Sequence, residues 1–127
     1  MSAKQALIID DNRSNLDVLS ILLNQQGVMV TAVQSVKQVN FALETLVPDV
    51  IFLDLEFPNG DGFQVLAEMK ANPALNGVPV IAYTVHTSEI DVARRAGFDS
   101  FIGKPLDSRR FPNQIKRILS GEQVWEV

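Results

Sequence analysis

The stretch DVIFLDLEFPNGDG, residues 49–62, decides the fold. DVIFL at 49–53 is apolar after Asp49 with no polar alternation, the pattern of a strand buried on both faces. From 54 to 62 the chemistry switches to turn formers, with Pro58, Asn59, Gly60 and Gly62. FQVLAEMKA at 63–71 then returns as a short helix that ends near Asn72-Pro73. A doubly buried strand feeding a loop and a helix is the unit of a parallel α/β sheet, because helices must cover both faces.

The same unit repeats in both directions. Upstream, ALII at 6–9 reads as a buried strand. SNLDVLSILLNQQ at 14–26 places Leu16, Leu19, Leu22 and Leu23 on one helical face, closed by Gly27 in a left-handed conformation. VMVTAV at 28–33 is a β-branched strand. The helix at 35–46 has Ser35 as its cap and apolar residues at 36, 39, 42, 43 and 46, and Pro48 closes it. Downstream come a strand at 78–83, a helix at 88–96 ended by Gly97, a strand at 98–102 and a helix within 107–120. Pro112 sets the start of the regular part of that last helix near Arg110 or Phe111. The order is strand–helix repeated five times, with right-handed crossovers. Ligands of such sheets bind outside the carboxyl ends of the strands.

Composition narrows the chemistry. The 127 residues suit one domain and carry a net charge of -4, from 11 Lys plus Arg against 15 Asp plus Glu. Zero Cys excludes disulfides, thiol nucleophiles and Cys-based metal sites, and a single His disfavours His-rich metal sites and His-dependent triads. No apolar run reaches a membrane span, and MSAKQALIIDDN has no signal-peptide pattern, so a cytoplasmic protein is expected. Mild acidity gives no support to direct nucleic-acid binding.

The carboxyl ends of the strands carry Asp10 and Asp11, then Asp54, then Thr84, then Lys104 followed by Pro105. Each has an ordinary structural use, as a helix-end acid, turn former, cap or surface charge. The fold aims all five at one edge. Carboxylates about 5 Å apart at an effective dielectric near 20 repel by on the order of 3 kcal/mol, so the group needs a cation or a raised pKa. An all-oxygen donor set favours a hard ion, and Mg²⁺ fits best. A cation, a lysine and a hydroxyl around one carboxylate make a site for a phosphoryl group, with Asp54 as a nucleophile that accepts it.

The motifs LIIDDN at 7–12, DVIFLDLEFPNGDGFQVL at 49–66, VPVIAYT at 78–84 and AGFDSFIGKP at 96–105 resemble the receiver (CheY-like) domain of two-component response regulators. The likeness runs from about residue 5 to 119. It implies a doubly wound five-stranded sheet of order 2-1-3-4-5, over residues 1–120. Most receivers are joined to an effector domain; here 121–127 is expected to be a short tail, with no output domain if the chain is complete. It implies Asp54 as the phosphoacceptor, served by a histidine kinase or phosphotransfer protein. Asp10, Asp11, Asp54 and the Glu56 backbone carbonyl would hold Mg²⁺. Thr84 and Lys104 would bind the phosphate, the Lys104–Pro105 bond would be cis, and Thr84 would couple to Phe101 as a switch.

Three residues depart from the family habit or flank the path of attacking water. Val85 stands where Ala or Gly is common, and Glu56 and His86 lie two residues beyond Asp54 and Thr84. They are expected to tune the lifetime of the phosphorylated state. Kinase recognition is expected around Arg13, Ser14, Asn15 and Asp17. Output is expected through protein contact by the last two helices and strand, where Arg94, Arg95, Arg109, Arg110, Lys116 and Arg117 concentrate, in a monomer or a phosphorylation-dependent dimer. Trp125 either packs back on the domain or anchors a partner. The competing functions are a haloacid-dehalogenase-type phosphatase, a flavodoxin-like cofactor binder and a phosphorylation-independent scaffold. The first would need its nucleophile on the first strand, and the second a Ser/Thr/Gly loop where Asp10-Asp11-Asn12 stands.

Overall fold

The computed structural model describes residues 3–56 and 62–127; of the turn expected over 54–62, residues 57–61 lie outside the described residues. The described elements are β1 (Gln5–Ile9), α1 (Arg13–Gln25), β2 (Met29–Val33), α2 (Val36–Leu43), β3 (Val50–Asp54), α3 (Gly62–Lys70), β4 (Val80–Thr84), α4 (Ile90–Ala96), β5 (Ser100–Gly103), α5 (Phe111–Leu119) and β6 (Trp125–Glu126). Short 3₁₀ turns at Pro73–Leu75 and Thr87–Glu89 precede β4 and α4. Every strand pairing is parallel, in the order β2-β1-β3-β4-β5-β6. No helix among the described residues is long and apolar enough to cross a membrane.

The sheet divides the core in two by strand alternation. Leu7, Ile9, Ile51 and Leu53 join α2, α3 and α4 on one face. Ala6, Ile8, Val50 and Phe52 join Leu16, Leu19 and Leu23 of α1 and Phe111, Ile115 and Ile118 of α5 on the other. All residues of β3 and β4 are buried, which is why they read as unbroken apolar runs.

Local signals set the ends of the elements. Asn12 caps α1 by accepting the Asn15 N–H at 3.0 Å, so neither Asp10 nor Asp11 serves as that cap. Gly27 has φ of 77°, the left-handed conformation expected of it, and Gly97, which ends α4, has φ of 110°. α5 begins at Phe111 because Pro112 tolerates only the first turn, and Asp107 Oδ1 accepts the Arg109 N–H at 2.8 Å just before it.

The sheet has one strand more than the five expected. Within the short tail, residues 125–126 form a sixth strand on the β5 edge, with Phe101 opposite Trp125 and Ile102 opposite Glu126. Trp125 therefore packs back on the domain, against the core that contains Phe101.

Candidate functional site

β1, β3 and β4 end together, and β5 delivers the loop beside them. Carboxylate oxygens of Asp10, Asp11 and Asp54 lie within 4.8 Å of one another, with Asp10 and Asp54 buried and Asp11 exposed at the mouth. Other strand-flanking acids serve the opposite edge: Asp49 accepts the Gln5 N–H, and Asp99 accepts the Val80 N–H.

Lys104 bridges the buried pair. Its Nζ lies 3.0 Å from Asp10 Oδ2 and 3.5 Å from Asp54 Oδ1, with a side chain only 8% exposed. Its own N–H donates to the Thr84 carbonyl at 2.9 Å, and the Lys104–Pro105 peptide is cis. Burial disfavours the charged form of Asp10, but the Asn12 N–H and Lys104 outweigh it and hold this carboxyl below its ordinary value. Asp54 goes the other way. Burial pushes it up to about 6, and Lys104 and the Glu56 N–H on its Oδ1 only partly offset that. One carboxylate is thus kept charged while the other is made proton-hungry and is the more basic of the two.

Sequence reasoning missed Tyr83. It occupies a strand position that reads as core, and it is 1% exposed. Its hydroxyl donates to Asp10 Oδ2 at 3.0 Å, and its ring lies 4.3 Å from Lys104 Nζ. Burial and the Asp10 charge raise its affinity for its proton, so it remains a donor. A buried tyrosine hydroxyl needs a partner, and the strand end offered one; that was the available signal. Tyr83→Phe should lower stability by about 1–2 kcal/mol in urea unfolding, since Asp10 keeps its other two donors.

Gly62 was also missed. A Cβ there would meet the Asp54 carbonyl at 2.8 Å and Leu55 Cα at 3.1 Å, so only glycine lets α3 approach the end of β3 this closely.

Thr84 is fully buried and its Oγ1 accepts the His86 N–H at 3.1 Å. Phe101 is likewise fully buried. Val85 is exposed at the rim, and across from it the Glu56 carboxylate and the His86 ring are paired. Gln34, just after β2, donates its side-chain amide to the Asp11 carbonyl at 3.2 Å. Beside the site, Asn15, Val18, Lys104, Pro105 and Leu106 line a small cleft of about 150 Å³. Arg13 is paired with Asp17 on the adjoining surface of α1.

The sequence pattern of the family described as "Response regulator receiver domain" matches residues 6–116. The chain belongs to this family. Receiver domains take phosphoryl groups from histidine kinases and pass the signal to partners. The domain is 31% identical over 103 residues to an uncharacterised 14.6 kDa protein of Leptolyngbya boryana, covering 80% of this chain and 79% of that one. It is 28% identical over 118 residues to the DNA-binding response regulator MtrA of Mycobacterium tuberculosis, covering 91% of this chain and 50% of MtrA, so it spans about half of that relative's length. Its fold matches the receiver domain of the sensor histidine kinase PA1611 of Pseudomonas aeruginosa with a TM-score of 0.83, at 24% identity, covering 94% of this chain and 100% of that one. In that protein a magnesium ion is coordinated in the active site cleft.

Proposed function

We propose that this receiver domain is phosphorylated on Asp54 by a histidine kinase or phosphotransfer protein in the cytoplasm, and that a protein partner reads the product. The observation that supports this most is the arrangement around Asp54: a buried, basic carboxylate with a lysine ammonium and two further carboxylates beside it. Asp10, Asp11, Asp54 and the Glu56 backbone carbonyl are the residues that would hold Mg²⁺; the donor set, oxygen only and without His or Cys, fits a hard cation. When bound, that ion supplies positive charge against the phosphoryl oxygens.

In the transfer, an Asp54 oxygen attacks phosphorus, the P–N bond to the donor histidine breaks, and the imidazole leaves with the bond's electron pair and takes up a proton. Lys104 exchanges its contact with Asp54 for one with the new phosphate, and Tyr83 and the Asn12 N–H keep Asp10 in place. Thr84 donates its hydroxyl to a phosphate oxygen, and Phe101 responds on the neighbouring strand. Asp54 gains and loses one phosphate; the domain is a signalling protein rather than a turnover enzyme. The cleft between Val18 of α1 and Pro105-Leu106 suits the apolar flank of a docking phosphotransfer helix, with Arg13, Ser14, Asn15 and Asp17 as the residues that select it.

Glu56, Val85 and His86 control the return path. The paired Glu56 and His86 span the mouth, and Val85 projects beside them. Val85→Ala should shorten the half-life of the phosphorylated domain severalfold by opening access to water, followed as phosphate loss from purified protein; identical half-lives would remove Val85 from this role.

Beryllofluoride with Mg²⁺, a phosphate mimic, tests the whole assignment by NMR. Expected are shifts that start at Asp54 and extend to Phe101 and α5, absent in Asp54→Asn. Shifts confined to the pocket would refute the switch, and no shifts would refute the phosphoacceptor.

A further inference from the structure

The surface expected to meet partners is already occupied. Residues 124–127 lie along the outer edge of β5, between Arg94 of α4 and the side chains of α5, and Glu122 pairs with α5. Phe101 N–H donates to the Val124 carbonyl at 2.7 Å, and Val124 N–H donates to Ser100 Oγ at 2.9 Å. Val124 is buried, and the Arg94 guanidinium lies 4.5 Å from the centre of the Trp125 ring. Glu126 takes the densest set of contacts: Arg110 at 2.9 Å, Gln114 at 2.8 Å and Arg117 at 3.2 Å. Arg117 also holds Glu122 at 3.0 Å. Half of the cations picked out as a partner surface, namely Arg94, Arg110 and Arg117, thus bind this chain's own segment, while Arg95, Arg109 and Lys116 are left at the periphery.

The groove is specific in its chemistry. The β5 edge supplies a backbone ladder, the core of Ile102, Phe111 and Ile115 supplies an apolar slot for Val124, Arg94 supplies a cation over an aromatic ring, and the Arg110–Gln114–Arg117 face of α5 supplies a carboxylate site. It also touches the switch. Trp125 is the strand neighbour of Phe101. Gly103, opposite Thr84 in the sheet, has no side chain where a Cβ would lie 3.1 Å from Val127 Cα. An open cavity of about 460 Å³ continues the groove past Glu126 to Lys104 and Pro105.

We propose that this β5 edge is the effector-docking groove, that its partner is an extended segment of apolar–aromatic–acidic sequence adding parallel to β5, and that residues 124–127 are the resident competitor, displaced when Asp54 is phosphorylated. The partner's chemistry follows from the occupant that the groove already fits. Gating follows from arithmetic: a tethered segment competes at an effective concentration of order millimolar, so an external strand of similar affinity is excluded until the resident one loosens. Docking by strand addition takes its affinity from main-chain bonds and its selectivity from alternate side chains, which here are the aromatic and the acid. The gating half rests on Asp54 phosphorylation; the groove itself does not.

Two measurements separate these. In the first, a fluorescein-labelled peptide SGEQVWEV is titrated by anisotropy into wild type and into Trp125→Ala/Glu126→Ala, whose substituted residues are only half-buried at the sheet edge. The groove is supported if the double variant binds about tenfold tighter than wild type, and if adding Arg110→Ala and Arg117→Ala abolishes the gain. Equal affinity for the two proteins, or no binding to the double variant, overturns it. In the second, the wild-type domain receives beryllofluoride and Mg²⁺. Occupancy is read from bound ¹⁹F and release from acrylamide quenching of Trp125, the sole tryptophan. Quenching should rise about twofold or more as a half-buried ring becomes solvated. Bound ¹⁹F with unchanged quenching overturns the gating. Absent ¹⁹F refutes the phosphoacceptor assignment, and with it the gating, and leaves the groove to be judged by the peptide. A dimer formed on activation and lost in the double variant would make the occupant a second copy, which contradicts the partner proposed.

Discussion

Lys104→Ala is expected to lower the unfolding free energy by about 3 kcal/mol in metal-free buffer at neutral pH. The lysine is nearly buried and is the cation between Asp10 and Asp54. Its removal leaves carboxylates whose oxygens lie within 4.8 Å of one another without that charge. Removing one partner of a buried pair costs more than the pair contributes, because the remaining charge is stranded. The ring of Tyr83 also loses the ammonium beside it. Two rescues are expected in urea unfolding. Excess MgCl₂ should recover much of the loss by supplying charge at the same place. Lowering the pH should recover part of it, because Asp54, raised further once Lys104 no longer lowers it, then takes up a proton and the repulsion falls. A loss unaffected by either treatment would mean that Lys104 matters through packing alone.

Asp54→Asn is expected to have the opposite sign. The ordinary value of the Asp54 carboxyl is 3.8, and burial raises it to about 6 in the fold. Between those values the folded chain binds more protons than the unfolded chain, so stability falls as pH rises. The protonated form is fully favourable below the lower value, and the penalty is complete above the upper one. It amounts to about 2–3 kcal/mol at neutral pH. An amide carries no charge and keeps an acceptor for the Glu56 N–H. The variant should therefore be more stable than wild type by up to about 2–3 kcal/mol near neutrality, and no more stable at the low-pH end of the window. Urea titrations across that range, with and without Mg²⁺, check it, and Mg²⁺ should shrink the difference. A pH-independent gain would contradict electrostatic strain at this position.

Much of the fold was legible because its central strands are buried on both faces. DVIFL and VPVIAY read as strands without help from alternation, and Gly27, Gly97 and Pro112 marked helix ends through backbone constraints that act locally. The convergence of Asp10, Asp11, Asp54 and Lys104 was legible for a topological reason: in a parallel sheet every strand delivers its next residue to the same edge. β6 was not legible. Trp125 and Glu126 have no periodicity or strand run of their own, and their conformation comes from Ser100, Phe101 and the α5 side chains. Tyr83 was hidden by a similar ambiguity, since an aromatic in an apolar strand reads as core until the buried acid beside it is seen. Gly62 read only as a turn former, whereas it is the first residue of α3; its need arises from the carbonyl of Asp54, which meets it only in three dimensions.

The difference between the two buried acids is the centre of this account. Asp10 is pinned by the Asn12 N–H, Lys104 and Tyr83, which leaves Asp54 as the carboxylate free to form a new bond. Intact-mass spectrometry after incubation with acetyl phosphate and Mg²⁺ tests that most directly. Wild type should gain one phosphate that hydroxylamine removes, as expected of an acyl phosphate, and Asp54→Asn should gain none. Equal incorporation in the two proteins, or a wild type left unmodified by both acetyl phosphate and a phosphohistidine donor, would contradict it.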